Sequence, residues 1–306
     1  MNYTLHQLQL FLKIVEKKSI TKAAAELHLT QPAVSIQLKN FQDQFDIPLT
    51  EVFGRQLYIT EFGLEIAQIA QRISSEIAAI DYKSLAFKGI LSGKLKIAVV
   101  STGKYVMPYF LINFIQKYPN VDLEIEVTNR KKVLESLKNN EVDFALVSVL
   151  PDDFTVDSET LIANKLFLMG KNHCNFDTSI PKEVFSKIPM LFREEGSGTR
   201  LVMENYFKNN AINCKIKMQL TSNEAVKQAV VAGLGFSILP VIGCKNELKN
   251  QELQIVNVSG FPIQSEWNLI ALPNKKMAPV AQTYLQFLQK EKQHIIAANF
   301  DWIQQY

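Results

Sequence analysis

The stretch Ser19-Ile-Thr-Lys-Ala-Ala-Ala-Glu-Leu-His-Leu-Thr-Gln-Pro-Ala-Val-Ser-Ile-Gln-Leu38 decides how the amino-terminal part of this chain folds. It reads as two short helices joined by a tight turn. Thr21 suits the cap of the first helix and Thr30 that of the second. Pro32 fits a first helical turn, where its missing N–H costs little, and Ala24 lets the two helices approach closely. The second helix aligns Val34, Leu38, Phe41 and Phe45 on one buried face, which turns Pro32, Ser35, Ile36 and Lys39 to the opposite side with Gln31 at the tip. That is helix-turn-helix spacing, and the outward face suits a DNA major groove. Gln31 can pair with adenine edges, Pro32 and Ile36 can touch thymine methyls, and Ser35 and Lys39 can hold phosphates.

Upstream, Leu8, Phe11, Leu12 and Val15 mark a further short amphipathic helix. Downstream, Leu57-Tyr58-Ile59 reads as a strand preceded by the turn Phe53-Gly54-Arg55, a wing whose Arg55 can reach the backbone or the minor groove. Up to Gly63, Lys13, Lys17, Lys18, Lys22, Lys39 and Arg55 are balanced by Glu16, Glu26, Asp43, Asp46, Glu51 and Glu61. Non-specific phosphate attraction is therefore modest, and DNA affinity needs dimerisation. A three-helix module that docks on another protein is the alternative for this segment. From Thr60 to Lys88 there is no proline, and Ile66, Ile69, Ile73, Ile77, Ile80 and Phe87 recur at three-four spacing, which predicts one long helix with an apolar seam.

Beyond Gly89 and Gly93 the texture changes to alternating strands and helices containing an internal duplication. The first copy predicts strands at Leu95 to Val100, Leu123 to Val127 and Asp143 to Val149. The second predicts strands at Pro189 to Phe192, Ile216 to Leu220 and Phe236 to Leu239, with helices between in both. In such β-α-β-α-β units the turns after the strands gather at one edge of the sheet and open helices whose free N–H groups favour a polar or anionic group. Two lobes facing each other predict a cleft lined by Ser101, Thr102, Thr128 and Asn129 on one side and Ser197, Thr199, Ser222 and Asn223 on the other. The same residue types also serve as ordinary helix caps. Lys104, Arg130 and Arg200 lie beside these turns and suit a carboxylate, phosphate or sulfate.

At 306 residues the chain predicts more than one compact unit, and 47% hydrophobic against 21% charged residues excludes a disordered chain. A net charge of +3 permits an acidic partner without demanding one. The first residues show no secretory signal, and the longest uncharged stretch, Ala229 to Cys244, is interrupted by Gly233, Gly235 and Pro240. The expectation is a cytoplasmic protein with no membrane segment. Cys174, Cys214 and Cys244 show no C-x-x-C and read as small idle thiols. His6, His28, His173 and His294 have no ligand spacing, so neither metal nor cofactor is expected. An enzyme is not expected either. Gly233-Leu-Gly235 lacks the third glycine of a dinucleotide fingerprint, Gly196-Ser-Gly is not a nucleophile elbow, and Glu194-Glu195 reads as a solvated turn.

Leu8, Phe11, Ser19, Ala23-Ala24, Leu27, Gln31-Pro32-Ala33-Val34-Ser35, Gln37, Leu49, Thr60 and Gly63 resemble the amino-terminal signature of LysR-type transcriptional regulators. Val100-Ser-Thr-Gly-Lys-Tyr, Thr128-Asn-Arg, Arg193-Glu-Glu-Gly-Ser-Gly-Thr-Arg200 and Ser222-Asn-Glu-Ala-Val-Lys-Gln-Ala229 resemble the branch that includes carbon-fixation operon regulators. The resemblance implies an α/β protein with an all-α amino-terminal part: a winged helix-turn-helix at 1–63, a linker and dimerisation helix at 64–90, and a two-lobed effector domain of periplasmic-binding-protein type at 91–306. Lobe I is expected at about 91–165 and 267–306, and lobe II at about 166–266. By the same resemblance Gln31, Pro32, Ser35 and Arg55 fall on DNA-contacting positions and the eight cleft residues on the effector site. The partners implied are double-stranded promoter DNA, a small polar or anionic effector, and the chain itself, as a dimer through the linker helix and a tetramer through the effector domains. The departures are Ile36 in place of a frequent arginine, Phe41-Gln42 for Leu-Glu, Asp46 for glycine, and Thr50 and Val52 for Phe and Arg. They remove contacts, so operator preference does not transfer from relatives, and Asp46 is expected in a left-handed turn. The alternative function is a cytoplasmic small-molecule-binding protein with a helical docking module.

Overall fold

The computed structural model describes residues 3–54, 56–172 and 180–306. Arg55, expected to touch DNA, lies outside the described residues, as do His173 and Cys174, and the side chain of Phe87 is likewise not described. The chain divides into two compact units, Met1–Ile90 and Leu91–Tyr306.

In the first unit, α1 (Leu5–Lys17), α2 (Ile20–Glu26) and α3 (Gln31–Gln42) precede the hairpin β1 (Thr50–Phe53) and β2 (Gln56–Ile59), then α4 (Glu61–Phe87). Thr4 and Gln7 form a reciprocal capping box at the start of α1. Ser19, not Thr21, caps α2: its hydroxyl accepts from the Lys22 N–H at 3.4 Å, which places the cap two residues before the one expected from the sequence. Thr30 caps α3 with Pro32 in its first turn. The tight turn is made by His28 at φ +55°, while Asp46 is not left-handed. Phe11, Ile14, Ala23, Val34, Phe41 and Leu49 are fully buried together. The hairpin pairs Thr50 with Ile59 and Phe53 with Gln56 around Gly54 at φ +63°. Gly63 is required by proximity, since a Cβ there would lie 2.1 Å from the Leu49 carbonyl oxygen. The helix after the wing starts at Glu61, inside the segment expected to end at residue 63.

The second unit opens with β3 (Gly93–Val100), α5 (Met107–Lys117), β4 (Val121–Thr128), α6 (Arg130–Lys138) and β5 (Phe144–Val147). Here β3 pairs in parallel with both β4 and β5. A long strand β6 (Asp157–Lys171) leads to β7 (Met190–Arg193), α7 (Gly198–Asn209), β8 (Ile216–Leu220), α8 (Asn223–Val231) and β9 (Ser237–Pro240). In this second copy β7 pairs in parallel with β8, and a parallel bridge from Met190 to Phe236 leads into β9. The duplicated β-α-β-α-β pattern is present in both halves.

The remaining elements are α9 (Lys245–Lys249), β10 (Leu253–Ile255), β11 (Ile263–Ala271) and α10 (Pro279–Asn299). The sheet order is β10-β6-β11-β5-β3-β4, with β9 also on β6. The antiparallel pair β6 and β11 therefore belongs to both halves: β11 continues into β5 while β6 carries β9. A bulge between Trp267 and Asn268 interrupts the pair. One core gathers Phe110, Phe114, Phe144, Trp267 and Tyr284, and a separate one gathers Phe185, Met190, Phe192 and Met203. The carboxyl-terminal turn packs on its own lobe, with Phe300 stacked at 5.7 Å on Phe110 of α5. Among the described residues no helix is long and apolar enough to cross a membrane.

Candidate functional site

On the helix-turn-helix, Gln31, Pro32, Ile36 and Lys39 are exposed and Ser35 is half-buried, all on the side of α3 away from Val34, Leu38 and Phe41. An exposed isoleucine at 59% in the middle of that face is an apolar contact with no internal purpose. Lys13 and Lys17 form a four-membered ion network with Glu16 and Glu26, at 2.5 to 3.1 Å. Those two lysines are neutralised within the unit. Lys18, Lys22 and Lys39 have no acidic partner among the described residues, so the field available to phosphate comes from few cations.

In the second unit, the turns after β3, β4, β5 and β7 meet around a cavity of about 10 Å³, lined by Val100, Ser101, Thr102, Asn129, Arg130, Ser148, Arg193, Ser197, Gly198 and Thr199. Five of the eight residues expected in the cleft are therefore together: Ser101, Thr102, Asn129, Ser197 and Thr199. Thr128, Ser222 and Asn223 do not line it. Ser222 caps α8, and Asn223 is buried beside Tyr105 and Gly243 with both amide atoms lacking a partner.

Capping also accounts for two residues that do line the cavity. Asn129 accepts from the Lys132 N–H at 3.1 Å and Ser197 from the Arg200 N–H at 3.5 Å. Their amide and hydroxyl hydrogens remain to donate. The hydroxyls of Ser101, Thr102, Ser148 and Thr199 make no hydrogen bond with any described residue, although Thr102, Ser148 and Thr199 are buried. Their oxygens are not sealed off, so each is open to water or a ligand in the cavity.

The cations expected at the cleft are differently employed. Arg130 donates from Nε and Nη2 to the Val149 and Leu150 carbonyls, and burial lowers its pKa. Arg200 binds Glu204, Gln219 and the Arg193 carbonyl, and Lys104 lies over the Tyr105 ring. The buried cation in the wall is Arg193, 3% exposed, which sequence reasoning did not single out. The signal was available: a lone arginine closes the otherwise apolar strand Met190–Arg193, where strand ends face ligands. Its partner is Glu194, which is thus not the solvated turn residue expected, whereas Glu195 is 88% exposed.

Two contacts hold the lobes together on either flank. The Lys131 N–H donates to the Gly196 carbonyl at 3.2 Å, and the Tyr105 hydroxyl donates to Glu224 at 2.9 Å. Burial and the bond to Glu224 push the Tyr105 pKa up, so the hydroxyl stays a donor. Behind Glu224, Lys227 is buried against Glu224 at 3.1 Å and Glu247 at 2.5 Å; burial opposes its charge, but the two carboxylates raise its pKa. Outside the Gly196 contact a larger cavity of about 570 Å³ shares Arg130 and Ser197 with the inner one.

Comparison with known proteins bears on both units. The family model described as bacterial regulatory helix-turn-helix protein, lysR family, matches residues 5–64, and that described as LysR substrate binding domain matches residues 88–293. The transcriptional activator CmpR of Synechocystis sp. is 36% identical over 94% of this chain and 95% of its own. The RuBisCO operon transcriptional regulator of Allochromatium vinosum is 34% identical over 95% and 97%. Among solved structures, the CcmR regulatory domain of Synechocystis PCC6803 in complex with 2-PG is 31% identical, covering 69% of this chain and 99% of that one, with a TM-score of 0.62. Full-length CbnR complexed with its target DNA, 19% identical over 94% and 99%, shares the fold at a TM-score of 0.73.

Proposed function

The chain belongs to the LysR family of bacterial transcriptional regulators, among relatives that include regulators of carbon-fixation operons, and from that premise we propose how its parts divide the work. It is a DNA-binding regulator with an effector-binding domain. We read α3 as the element that enters the major groove, with Gln31, Pro32 and Ile36 at base edges and Ser35 and Lys39 at phosphates, and we keep Arg55 as a further DNA contact on the sequence alone. The segments 1–63, 64–90 and 91–306 serve as reader, dimerisation helix and effector domain.

Dimerisation through α4 is supported by Ile69, Ile73, Ile77 and Ile80, which recur along it and are 36 to 65% exposed. A pair of dimers joined through effector domains then spans a promoter in the cytoplasm. An effector that binds one lobe arrangement better than another changes the geometry of that tetramer and the bend of the DNA it holds.

The observation that carries the effector site is the set of four hydroxyls without protein partners, Ser101, Thr102 and Ser148 from one lobe and Thr199 from the other, around a single cavity. Thr128, Ser222 and Asn223 stand farther from it, and we keep them as residues that engage the effector once the lobes part. The CcmR domain solved with 2-PG names the first compound to try. The test is a gel-shift titration of the purified protein on the DNA upstream of its own gene, with and without 2-PG, against the Gln31→Ala/Ser35→Ala double variant. Specific retardation lost in the variant and altered by 2-PG supports the reading. Retardation unchanged in the variant removes α3 as the reader, and no retardation at any modest salt concentration moves the helical unit to protein docking.

A further inference from the structure

Val52 and Phe53, at the end of β1, are 66% and 68% exposed, the two most exposed large apolar side chains among the described residues. They stand at the tip of a hairpin, where polar side chains would cost nothing. Tyr58 on β2 adds a third, its ring edge-on to that of Phe53 at 6.0 Å. An apolar patch raised on a hairpin is a contact surface with no internal partner.

The register decides what accompanies it. Phe53 pairs with Gln56 and Glu51 with Tyr58, so these four share one face, with the acid two residues back and the aromatic ring and the amide at the tip. Val52 lies on the opposite face. The Tyr58 hydroxyl donates to Gln56 Oε1 at 2.8 Å. That bond occupies the amide oxygen, while Nε2 has no partner among the described residues and keeps its hydrogens to donate. The base of the hairpin is tied to α3. Gln42, the last residue of that helix, accepts at Oε1 from both the N–H and the hydroxyl of Thr50, each at 2.9 Å, and the Thr60 hydroxyl donates to the Pro48 carbonyl at 2.7 Å. The wing is thus held in a fixed place relative to α3 and continues its surface.

We propose that the tip of this wing is an uncharged minor-groove reader. The Gln56 amide, oriented by Tyr58, donates to the base-edge acceptors of an A·T pair, while Phe53 and Val52 pack against the two walls of the groove. The proposal rests on the reading of α3 as the major-groove element. In the minor groove an A·T pair in either orientation offers only acceptors, whereas a G·C pair adds the guanine amino donor. An amide whose oxygen is already occupied satisfies the first and meets an unpaired donor in the second. Apolar side chains serve as wedges in that groove, and they release no counterions. Val52, standing where the family often has arginine, then exchanges a charged contact for an apolar one.

The experiment is fluorescence-anisotropy titration of the full chain on the DNA upstream of its own gene, at several salt concentrations, after hydroxyl-radical footprinting has located the minor-groove segments it protects. Each A·T pair in those segments is replaced by G·C and by inosine·cytosine, which resembles G·C in the major groove but lacks the minor-groove amino group. At one position or more the wild type is expected to lose roughly three- to tenfold on G·C and to recover on inosine·cytosine. Gln56→Ala should bind the three alike, and Tyr58→Phe should narrow the difference. Phe53→Ala should weaken all three duplexes with the slope against log salt unchanged, since no phosphate contact is lost. Phe53 and Gln56 are exposed, so neither variant disturbs the core. Wild-type affinity that ignores the amino group, discrimination that survives Gln56→Ala, or the absence of any protected minor-groove segment overturns the assignment of Gln56. Full affinity in Phe53→Ala removes the apolar tip from the DNA and leaves it to a protein partner. The Gln31→Ala/Ser35→Ala variant decides the parent reading separately: if it loses specific binding, α3 stays the reader whatever the wing does, and if it binds like the wild type, both readings fall.

Discussion

At Ser19 and Thr21 two residues with the same capping chemistry stand two positions apart, and the backbone selects between them. Ser19 is extended, at φ −160°, with its hydroxyl on the Lys22 N–H, whereas Thr21 is already inside α2. Ser19→Ala is expected to lower unfolding stability by about 0.5–2 kcal/mol, and Thr21→Ala to change it little, as read from chemical denaturation midpoints. A larger loss at Thr21 would contradict the observed cap. The cysteines make a second case at this scale. Burial pushes the Cys214 thiol up to about 11 and the Cys244 thiol up to about 12. A thiol of raised pKa is protonated at neutral pH, and only the thiolate reacts. Iodoacetamide at pH 7.5, followed by mass spectrometry, should therefore label both far more slowly in the folded protein than in the unfolded one. Labelling of the folded protein should rise with pH only well above the range of a free cysteine. Rapid labelling of either at neutral pH would contradict the idle-thiol reading for that residue.

The elements legible in the sequence are those whose periodicity is local. The helix-turn-helix follows from Val34, Leu38 and Phe41 on one face, and the two copies of β-α-β-α-β follow from short apolar strands between capped helices. The long strands β6 (Asp157–Lys171) and β11 (Ile263–Ala271) were not legible, because they pass from half-exposed to fully buried: in β6 Leu166 and Leu168 enter one core while Phe167 and Met169 between and after them enter the other, and in β11 every residue from Trp267 to Ala271 is buried. No single alternation survives such a change of environment. The same limit applies to the cavity. The hydroxyl turns could be read from strand ends, but the choice of Arg193 over Arg200 depends on which guanidinium meets Glu194 and which meets Glu204 across a helical turn. For α4 the argument is again periodic, and it yields a prediction. Glutamate at Ile73 and Ile77 places charge on the exposed stripe without touching the packed side at Ala67 and Ala70. The double variant is expected to sediment as a smaller species at micromolar concentration and to lose operator affinity, while its circular dichroism is unchanged. An unchanged sedimentation coefficient would exclude α4 as the dimer contact.

For the effector domain as a whole, the two halves share the β6–β11 pair at the back, and the Tyr105–Glu224 and Lys131–Gly196 contacts hold the front. The inner cavity has room for about one water, so on the proposed reading of it as the effector site an effector enters through an arrangement in which these front contacts are broken. Closing around the effector then regains them, and their energy becomes part of its affinity. Tyr105→Phe removes one donor to a carboxylate that is itself 43% exposed, so the closed form loses on the order of 1 kcal/mol and the balance shifts about fivefold towards opening. The expected results are a several-fold weaker affinity for the effector and a larger radius of gyration of the unliganded effector domain in solution scattering, the latter returning to the wild-type value at saturating ligand. Lys227 keeps Glu247 in this variant, so the packing of α8 against α9 is preserved and a loss of fold is not the cause. If the radius and the affinity both stay at wild-type values, the lobes are set by the shared strands alone. The Tyr105 hydroxyl would then be a surface bond without influence on the cleft.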